Sequence, residues 1–402
     1  MKKIIYILML LHVLAAFSQK HTNLWYFGIN AGLDFNNGNP VPVFGGQTFT
    51  AEGSSSIADE NGSLLFYTDG VTVYNKNHQI MQNGDGLMGH SSCSQSALIV
   101  GRPGSDTRFY IFTVGAMEDP NGLNYSEVDM TLNGGLGAVT AVKNINLLGN
   151  TTEGITATLH SNGEDIWVVV HPLSNNTLCS YLLTVEGLNQ TPVVSNAGPA
   201  FVMDFDDVYD EAGSMKISPD GSRLAIASQG KGTIVFDYNK ATGAVSNAVQ
   251  VEPGSDMPYG VEFSPSGRLL YTTKREKLTQ YNLQAADIAA SGIVVLQDDY
   301  LNIALMQLAS NGKIYKAESL QDFLTVINNP DVLGMGCNAQ FMSVYLGGDG
   351  YSMLGLPNAI TSYFLVPDFE AENVCLNAQT QFTLNWNRTP DSVVWNFGDG
   401  TT

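Results

Sequence analysis

Ser218-Pro-Asp-Gly221 leads into the β-rich run Arg223-Leu-Ala-Ile-Ala227, and this turn-and-strand unit decides the fold because the chain repeats it. Proline presets φ at the first central turn position, and Asp-Gly supplies turn hydrogen bonds and tolerates a positive φ. Further copies are Ser264-Pro-Ser-Gly267, Ala309-Ser-Asn-Gly312, Asp59-Glu-Asn-Gly62, Pro103-Gly-Ser-Asp106 and Ser161-Asn-Gly163, each before a β-rich run. The sequence is therefore built from one recurring unit.

The spacing of this unit identifies the architecture. Gly221, Gly267 and Gly312 are 46 and 45 residues apart. Alternating or β-rich runs predict four strands in one such interval: 211–218, 224–228, 233–238 and 245–251. A period of about 40–50 residues with several strands per unit is typical of a β-propeller blade. We predict an all-β chain with almost no helix and a seven-bladed β-propeller, with six or eight blades as alternatives.

Strand-like runs also lie at both ends of the chain, outside the six repeats. Asn23-Leu-Trp-Tyr-Phe27 precedes the repeats, and apolar runs at 340–346 and 361–365 follow them. Propellers remove exposed sheet edges by closing the ring. We predict a propeller over residues 22–366 that closes by pairing 23–27 with a strand after residue 335, in a seventh blade of mixed origin.

The first 18 residues have the pattern of a signal peptide. Met1-Lys-Lys3 is a basic start, residues 4–16 are apolar, and Ala16-Phe-Ser18 is a small-residue cleavage site. The apolar run is too short to span a membrane as a helix. We predict an exported protein that is secreted or displayed at the cell surface.

Charge limits the partners of the chain. The formal net charge is −20, with 18 Lys and Arg against 38 Asp and Glu. Binding to a phosphate backbone requires a basic surface, so this balance argues against a nucleic-acid partner. It favours a soluble chain, which we predict to be a monomeric propeller without a transmembrane segment.

Four cysteines have no metal-ligand spacing. Cys93, Cys179, Cys337 and Cys375 contain no Cys-x-x-Cys pair. An exported protein can form disulfides, and four cysteines allow three pairings that sequence cannot separate. One or two disulfides and free buried thiols are both open.

The C-terminal residues begin a second unit. Residues 381–386 and 392–397 alternate apolar and polar side chains, as sandwich strands do. Val394-Trp-Asn-Phe-Gly-Asp-Gly-Thr-Thr402 closely resembles the signature of polycystic-kidney-disease (PKD) domains, which are immunoglobulin-like sandwiches. The resemblance implies that residues 369–402 are the N-terminal part of a PKD domain, truncated after the signature. It also implies that Asp399-Gly400 is a turn and not a catalytic site.

The whole chain resembles exported, multidomain surface proteins of gliding bacteria. The resemblance is carried by Trp25-Tyr-Phe-Gly28, by Phe66-Tyr-Thr-Asp-Gly70 and by Gly355-Leu-Pro-Asn358. In that family a propeller precedes PKD repeats and a sorting domain for type IX secretion. The resemblance implies a role in adhesion or as a scaffold, associated with gliding motility, and it carries over no catalytic residue.

Candidate site residues are sparse. The chain lacks His-Glu-x-x-His and Gly-x-Ser-x-Gly, and we interpret His160 and His171 as structural residues in loops or at strand edges. Asp204, Asp206, Asp207 and Asp210 form the densest acidic run and are weak candidates for binding Ca²⁺, although an acidic solvated loop explains them better. Aromatic side chains such as Tyr259, Tyr300 and Tyr351 are weak candidates for stacking on sugars.

Two functions compete on these grounds. We predict a protein that is not an enzyme and uses no cofactor, whose propeller binds an extracellular glycan or protein. The alternative is an extracellular carbohydrate-active enzyme, a glycosidase or lyase, that uses the propeller funnel. Paired carboxylates at the mouth of the funnel would favour the enzyme.

Overall fold

The computed structural model describes residues 20–116, 121–202, 209–364, 368–372 and 381–385. Within residues 20–364 it forms seven antiparallel sheets that follow one another along the chain, and each sheet is one blade of a seven-bladed β-propeller. The prediction of an all-β, seven-bladed propeller is confirmed. Among the described residues, helix is limited to six short 3₁₀ segments, Lys20–Thr22, Asn133–Gly135, Gly254–Asp256, Ala289–Ser291, Gly334–Cys337 and Thr361–Phe364.

The strands are numbered in chain order. Blade 1 contains β1 (Leu24–Phe27), β2 (Ala31–Asp34) and β3 (Val41–Pro42), and blade 2 contains β4 (Ser55–Ala58), β5 (Leu64–Thr68) and β6 (Val73–Asn75). Blade 3 contains β7 (Ala97–Gly101), β8 (Arg108–Val114), β9 (Leu123–Asp129), β10 (Ala138–Val139) and β11 (Ile145–Leu148). Blade 4 contains β12 (Thr151–Leu159), β13 (Ile166–Pro172), β14 (Asn175–Thr184), β15 (Gly187–Leu188) and β16 (Val193–Phe201). Blade 5 contains β17 (Met215–Ile217), β18 (Arg223–Ser228), β19 (Gly232–Asn239) and β20 (Ala244–Glu252). Blade 6 contains β21 (Gly260–Phe263), β22 (Leu269–Lys274), β23 (Lys277–Asn282) and β24 (Ile293–Gln297). Blade 7 contains β25 (Met306–Leu308), β26 (Ile314–Lys316), β27 (Phe323–Ile327) and β28 (Ala339–Tyr345).

The recurring turn joins the first strand of a blade to the second. Gly221, Gly267 and Gly312 adopt φ of 73°, 70° and 75°. This left-handed conformation costs glycine nothing but disfavours a residue with a Cβ. The turn chemistry read from the sequence is therefore what reverses the chain at the same point in successive blades.

The core lies between neighbouring blades. On β18, Leu224 and Ile226 pack in a cluster with side chains of blade 4, whereas Ala225 and Ala227 pack with side chains of blade 6. Successive strand residues face opposite sides of a sheet. Both faces of this inner strand are therefore buried, which explains its continuous apolar sequence.

The predicted closure is wrong in its pairing. β1 pairs with β2, not with a strand after residue 335, and blade 7 takes all four of its strands from 306–345. Because β28 serves as the outer strand of blade 7, the chain beyond it makes the closing contacts. Ile29 and Tyr351 exchange two backbone hydrogen bonds of 2.9 Å.

The C-terminal unit is described only in part. β29 (Asp368–Glu372) and β30 (Gln381–Asn385) form a two-stranded antiparallel sheet. The PKD-like signature at 394–402 lies outside the described residues, as do Cys375 and the signal-peptide pattern, so these predictions stand untested. In the part of the chain that the structure describes, no helix has the length and apolarity needed to cross a membrane.

Candidate functional site at the mouth of the central channel

The first strands of the blades surround the propeller axis. From β4 through β7, β12, β17 and β21 to β25, each first strand contacts the first strand of the next blade. Residues at the start of these strands therefore meet around one mouth of the central channel.

An acidic group of side chains occupies this mouth, and we call it the entrance cluster: Glu52, Ser94, Glu153 and Tyr259. Ser94 donates to Glu153 Oε2 from its backbone N–H at 2.9 Å and from its hydroxyl at 2.6 Å. The hydroxyls of Ser94 and Tyr259 are 3.0 Å apart. Since these residues belong to different blades, only the axis of the ring brings them together.

The hydrogen bonds of the entrance cluster have a direction. Ser94 gives its one hydroxyl proton to the carboxylate of Glu153, so its oxygen accepts from Tyr259 and from the N–H of Gly213 at 3.1 Å. Tyr259 also bonds to the Glu52 carboxyl. Hydrogen bonds therefore link Glu52, Tyr259, Ser94 and Glu153 in one continuous chain.

Glu52 holds its proton at neutral pH. Burial raises its pKa to about 8, the Glu153 carboxylate adds to the rise, and polar contacts with Tyr259 and Ser94 oppose it. Its Oε2 atom has no hydrogen-bond partner in the structure. Two neighbouring carboxylates that share a site do not both ionise readily. Glu52 is therefore a protonated carboxyl beside a carboxylate that accepts two hydrogen bonds.

The entrance cluster lies beside further acidic residues but forms no metal centre. The backbone carbonyl of Glu211 accepts from Glu153 N–H at 3.0 Å, and burial raises the pKa of the Glu211 side chain. Among the described residues, no group of three or more His, Cys, Asp or Glu is arranged to hold a metal ion.

Below the mouth, the channel is filled by the chain itself. Residues 355–362, which we call the plug, are buried throughout. Asn358 at the centre of the plug donates to Ser54 O at 2.8 Å and Ile155 O at 2.9 Å, and accepts from Gln95 at 3.2 Å. Lys216 Nζ lies 3.4 Å from Asn358 Oδ1. One residue thus ties four blades together.

Lys216 belongs to a buried polar layer beside the plug. Its ammonium lies 2.6 Å from Gln307 Oε1 and 3.6 Å from Glu262 Oε2. Burial lowers the pKa of Lys216 and raises that of Glu262, while each partner opposes the shift of the other. The plug fills the channel beside the entrance cluster, and the four side chains of the cluster are themselves buried.

The predicted Ca²⁺ candidates are placed only in part. Asp204, Asp206 and Asp207 lie outside the described residues. Asp210 is buried, and its Oδ2 accepts from Val202 N–H at 2.8 Å and pairs with Lys231 at 2.9 Å. Its role as a calcium ligand stays a prediction.

The histidine and tyrosine candidates fare differently. His160 bonds to Ala241 O at 3.1 Å, as a structural residue would. His171 is not at an edge: it is fully buried inside β13, and burial lowers its pKa to about 4. Tyr259 is buried and cannot stack on a ligand at the surface, whereas Tyr300 and Tyr351 are exposed.

The described cysteines are buried without forming a disulfide with one another. Cys179 and Cys337 are free thiols, and Cys93 donates to the Glu153 carbonyl at 3.7 Å. The alternative of buried thiols therefore holds for Cys179 and Cys337.

Sequence reasoning missed the entrance cluster, although a signal was present. Glu52-Gly53, Glu153-Gly154 and Tyr259-Gly260 stand at matching places, where a blade's first strand begins. A Cβ on Gly53 would lie 2.1 Å from Ser96 N, and one on Gly260 would lie 2.3 Å from Ala304 O. The glycine allows neighbouring blades to approach closely just where the preceding side chain enters the mouth.

Comparison with known proteins finds similar structures only at low sequence identity. No protein-family model matches the chain, and no curated protein matches it either. A functionally unknown protein from Desulfotomaculum acetoxidans is 14% identical over 84% of this chain and 98% of its own, with a TM-score of 0.49. A protein from Bacteroides fragilis, provisionally assigned as a 6-phosphogluconolactonase, is 13% identical over 74% and 83%, with a TM-score of 0.41. The periplasmic gluconolactonase of Pseudomonas aeruginosa is 13% identical over 63% and 74%, with a TM-score of 0.39.

These similarities correct one prediction. The chain was predicted not to be an enzyme, and this is contradicted by structural neighbours that are named as lactonases. Nothing in the comparisons supports adhesion, gliding or type IX secretion. At such low identity and TM-scores, the similarity transfers neither a substrate nor a catalytic residue.

Proposed function

We propose that the protein is an exported enzyme that uses the entrance cluster for acid–base chemistry on a neutral, sugar-derived substrate, as a glycosidase. The observation that carries the proposal is the unequal pair of glutamates, since Glu52 is protonated at neutral pH and Glu153 Oε2 accepts two hydrogen bonds. Two titratable groups whose environments separate their pKa values are the usual mark of an acid–base site.

Glu52 is the catalytic acid in this proposal. Burial and the charge of Glu153 keep its proton in place until a substrate oxygen is positioned to receive it. In glycoside cleavage, Glu52 gives this proton to the leaving oxygen as the carbon–oxygen bond breaks. Water then adds to the sugar carbon and returns a proton to Glu52.

Glu153 acts through Glu52 as a positioning residue. Once Glu52 has released its proton, its charge faces the carboxylate of Glu153, which favours rapid recovery of the proton. Ser94 holds Glu153 by two hydrogen bonds, so that this charge stays fixed during the reaction.

The cations around the axis favour a neutral substrate. Lys231 pairs with Asp210 at 2.9 Å, and Lys274 pairs with Glu252 at 3.2 Å and Asp256 at 2.7 Å. Lys316 pairs with Glu318 at 3.0 Å. A phosphorylated or carboxylated substrate would be repelled by the acidic cluster, because the nearby lysines already pair with carboxylates.

Export of this enzyme rests on the signal-peptide pattern of residues 1–18. The resemblance to surface proteins of gliding bacteria agrees with such a location. We therefore propose that the substrate is an extracellular carbohydrate.

Turnover of neutral glycosides and polysaccharides by the full chain tests the proposal. We expect product release by the natural sequence and a loss of at least about 100-fold in Glu52→Gln, the usual scale for removal of a general acid. Glu60→Gln, at an exposed turn position, is the matched control and should retain full activity. Absence of turnover across both substrate sets, or an active Glu52→Gln variant, would contradict the proposal.

A further inference from the structure

Three residues lie in one row across neighbouring chain segments where the ring closes. Ile29 lies opposite Phe49 on one side and opposite Tyr351 on the other, both in antiparallel register. Ile29 and Tyr351 form a hydrogen-bonded pair, whereas the bonds that flank Phe49 join Asn30 to Thr48 at 3.0 Å and Thr50 to Gly28 at 3.2 Å. We call Phe49, Ile29 and Tyr351 the aromatic row.

The side chains of the aromatic row point away from the protein. Phe49 is 75% exposed, while Thr48 and Thr50 on either side of it are buried. Tyr351 is 44% exposed, and Ser352 beside it is fully buried. Directly opposite residues of an antiparallel ladder share a face, and the two pair types place the outer Cα atoms about 10 Å apart. The row therefore presents two aromatic rings to solvent on either side of an aliphatic side chain.

The aromatic row is continuous with the entrance cluster. Phe49 precedes Glu52 by three residues, and Tyr351 precedes Leu354 by three. Leu354 N–H donates to Ala51 O at 2.8 Å, next to Glu52. Two of the strands that form the row thus lead directly to the mouth of the channel.

We infer that the aromatic row is a sugar-binding platform, on which a neutral carbohydrate ring stacks while the chain to which it belongs extends into the entrance cluster. This inference rests on the proposed function. The face of an aromatic ring is negative and attracts the positive C–H edge of a bound group, a contact that the apolar face of a sugar ring supplies. Exposed polar residues beside the mouth, Ser91 and Ser92, are suited to the hydroxyl groups of the sugar.

Other ligands fit the aromatic row less well. Nucleic-acid bases also stack on aromatic rings, but a chain with a net charge of −20 repels their phosphates. A stable protein partner would bury about 800 Å² on this side. Three side chains present far less surface than that, so the row suits a small flat ligand.

The test measures binding of cello-, xylo- and manno-oligosaccharides to the full chain by saturation-transfer NMR and by titration. Each oligosaccharide is titrated into the natural sequence, Phe49→Ala, Tyr351→Ala and Glu52→Gln. Tyr345→Ala is the matched control, since Tyr345 is an exposed aromatic residue on the outer strand of blade 7. We expect Phe49→Ala and Tyr351→Ala each to weaken binding about five- to tenfold, the scale of one ring contact, and Tyr345→Ala to leave it unchanged.

The outcomes separate this inference from the proposed function. If Phe49→Ala and Tyr351→Ala both weaken binding, the platform is supported even where the natural sequence shows no turnover. If Glu52→Gln abolishes turnover but both aromatic variants leave it intact, the platform is overturned and the proposed enzymatic function is retained. Failure of the natural sequence to bind any of the three series overturns the platform as well.

Discussion

Ser94 donates both its backbone N–H, at 2.9 Å, and its hydroxyl, at 2.6 Å, to the same carboxylate oxygen of Glu153, a residue 59 positions further along the chain. This pairing joins the starts of two blades and fixes a charge beside Glu52. The side chain of Ser94 lowers the pKa of Glu52, whereas the charge of Glu153 raises it. These opposite effects provide a test that a purely structural role of the two residues would not pass.

The pH dependence of activity should move in opposite directions in two variants. The charge of Glu153 raises the pKa of Glu52 and the Ser94 hydrogen bond lowers it. On the alkaline side of the pH profile, kcat/KM falls as Glu52 loses its proton. We expect this fall to occur at lower pH in Glu153→Gln and at higher pH in Ser94→Ala. In the natural sequence this fall should lie near pH 8. Ser63→Ala, at an exposed position between β4 and β5, is the control, and equal shifts in both variants would refute the assignment.

Stability should fall as pH rises from about 4.5 to about 8. In this range Glu52 is ionised in the unfolded chain and still protonated in the folded one, so the folded state binds more protons and a rise in pH favours unfolding. One such group contributes on the order of a few kcal/mol across the window. Buried Glu211 and Glu318 have raised pKa values and add in the same direction.

Urea denaturation of the natural sequence and of Glu52→Gln at pH 5 and pH 8 measures this effect. The variant should lose less stability between the two pH values, while Glu60→Gln should behave like the natural sequence. An unchanged difference in Glu52→Gln would show that Glu52 titrates normally.

Removal of the Asn358 side chain should destabilise the whole propeller. Asn358→Ala deletes the bonds to Ile155 O and Gln95, and it removes a partner of the buried Lys216 ammonium. We expect a loss of about 2–4 kcal/mol, because buried polar groups are left without partners. Asn61→Ala, in an exposed turn, is the control for measurement by chemical denaturation. A loss as small as that of the control would show that the plug adds nothing to stability.

Truncation should locate the boundary of the propeller, which we propose to be residues 22–366. A chain that ends at residue 366 keeps the plug and should melt cooperatively. A chain that ends at residue 354 loses Asn358 and also Ser362, whose hydroxyl accepts from Leu159 N–H at 3.0 Å. We expect a markedly lower Tm for the shorter chain by circular dichroism, and equal melting of the two would place the boundary before the plug.

The sequence by itself determined the blades, because their rules are local. Turn residues reverse the chain where a positive φ is needed, and β-rich runs of four to nine residues fix the strands between them. The predicted runs 224–228, 233–238 and 245–251 agree with β18, β19 and β20 to within one residue at each end. No contact between distant residues was needed for these predictions.

Only the tertiary structure decided the closure and the site. Gly355-Leu-Pro-Asn358 has the composition of a loop, yet it fills the channel because the completed ring surrounds it with polar groups that bond to Asn358. Glu52, Ser94, Glu153 and Tyr259 come from separate repeats, and each is unremarkable in its own segment. Their distances are set by ring geometry, and the proton on Glu52 by burial and by a charge 101 positions away in sequence. The periodic sequence pattern determines the strands. The chemistry of the site depends on the closed ring, because the ring decides which strand ends meet at its axis.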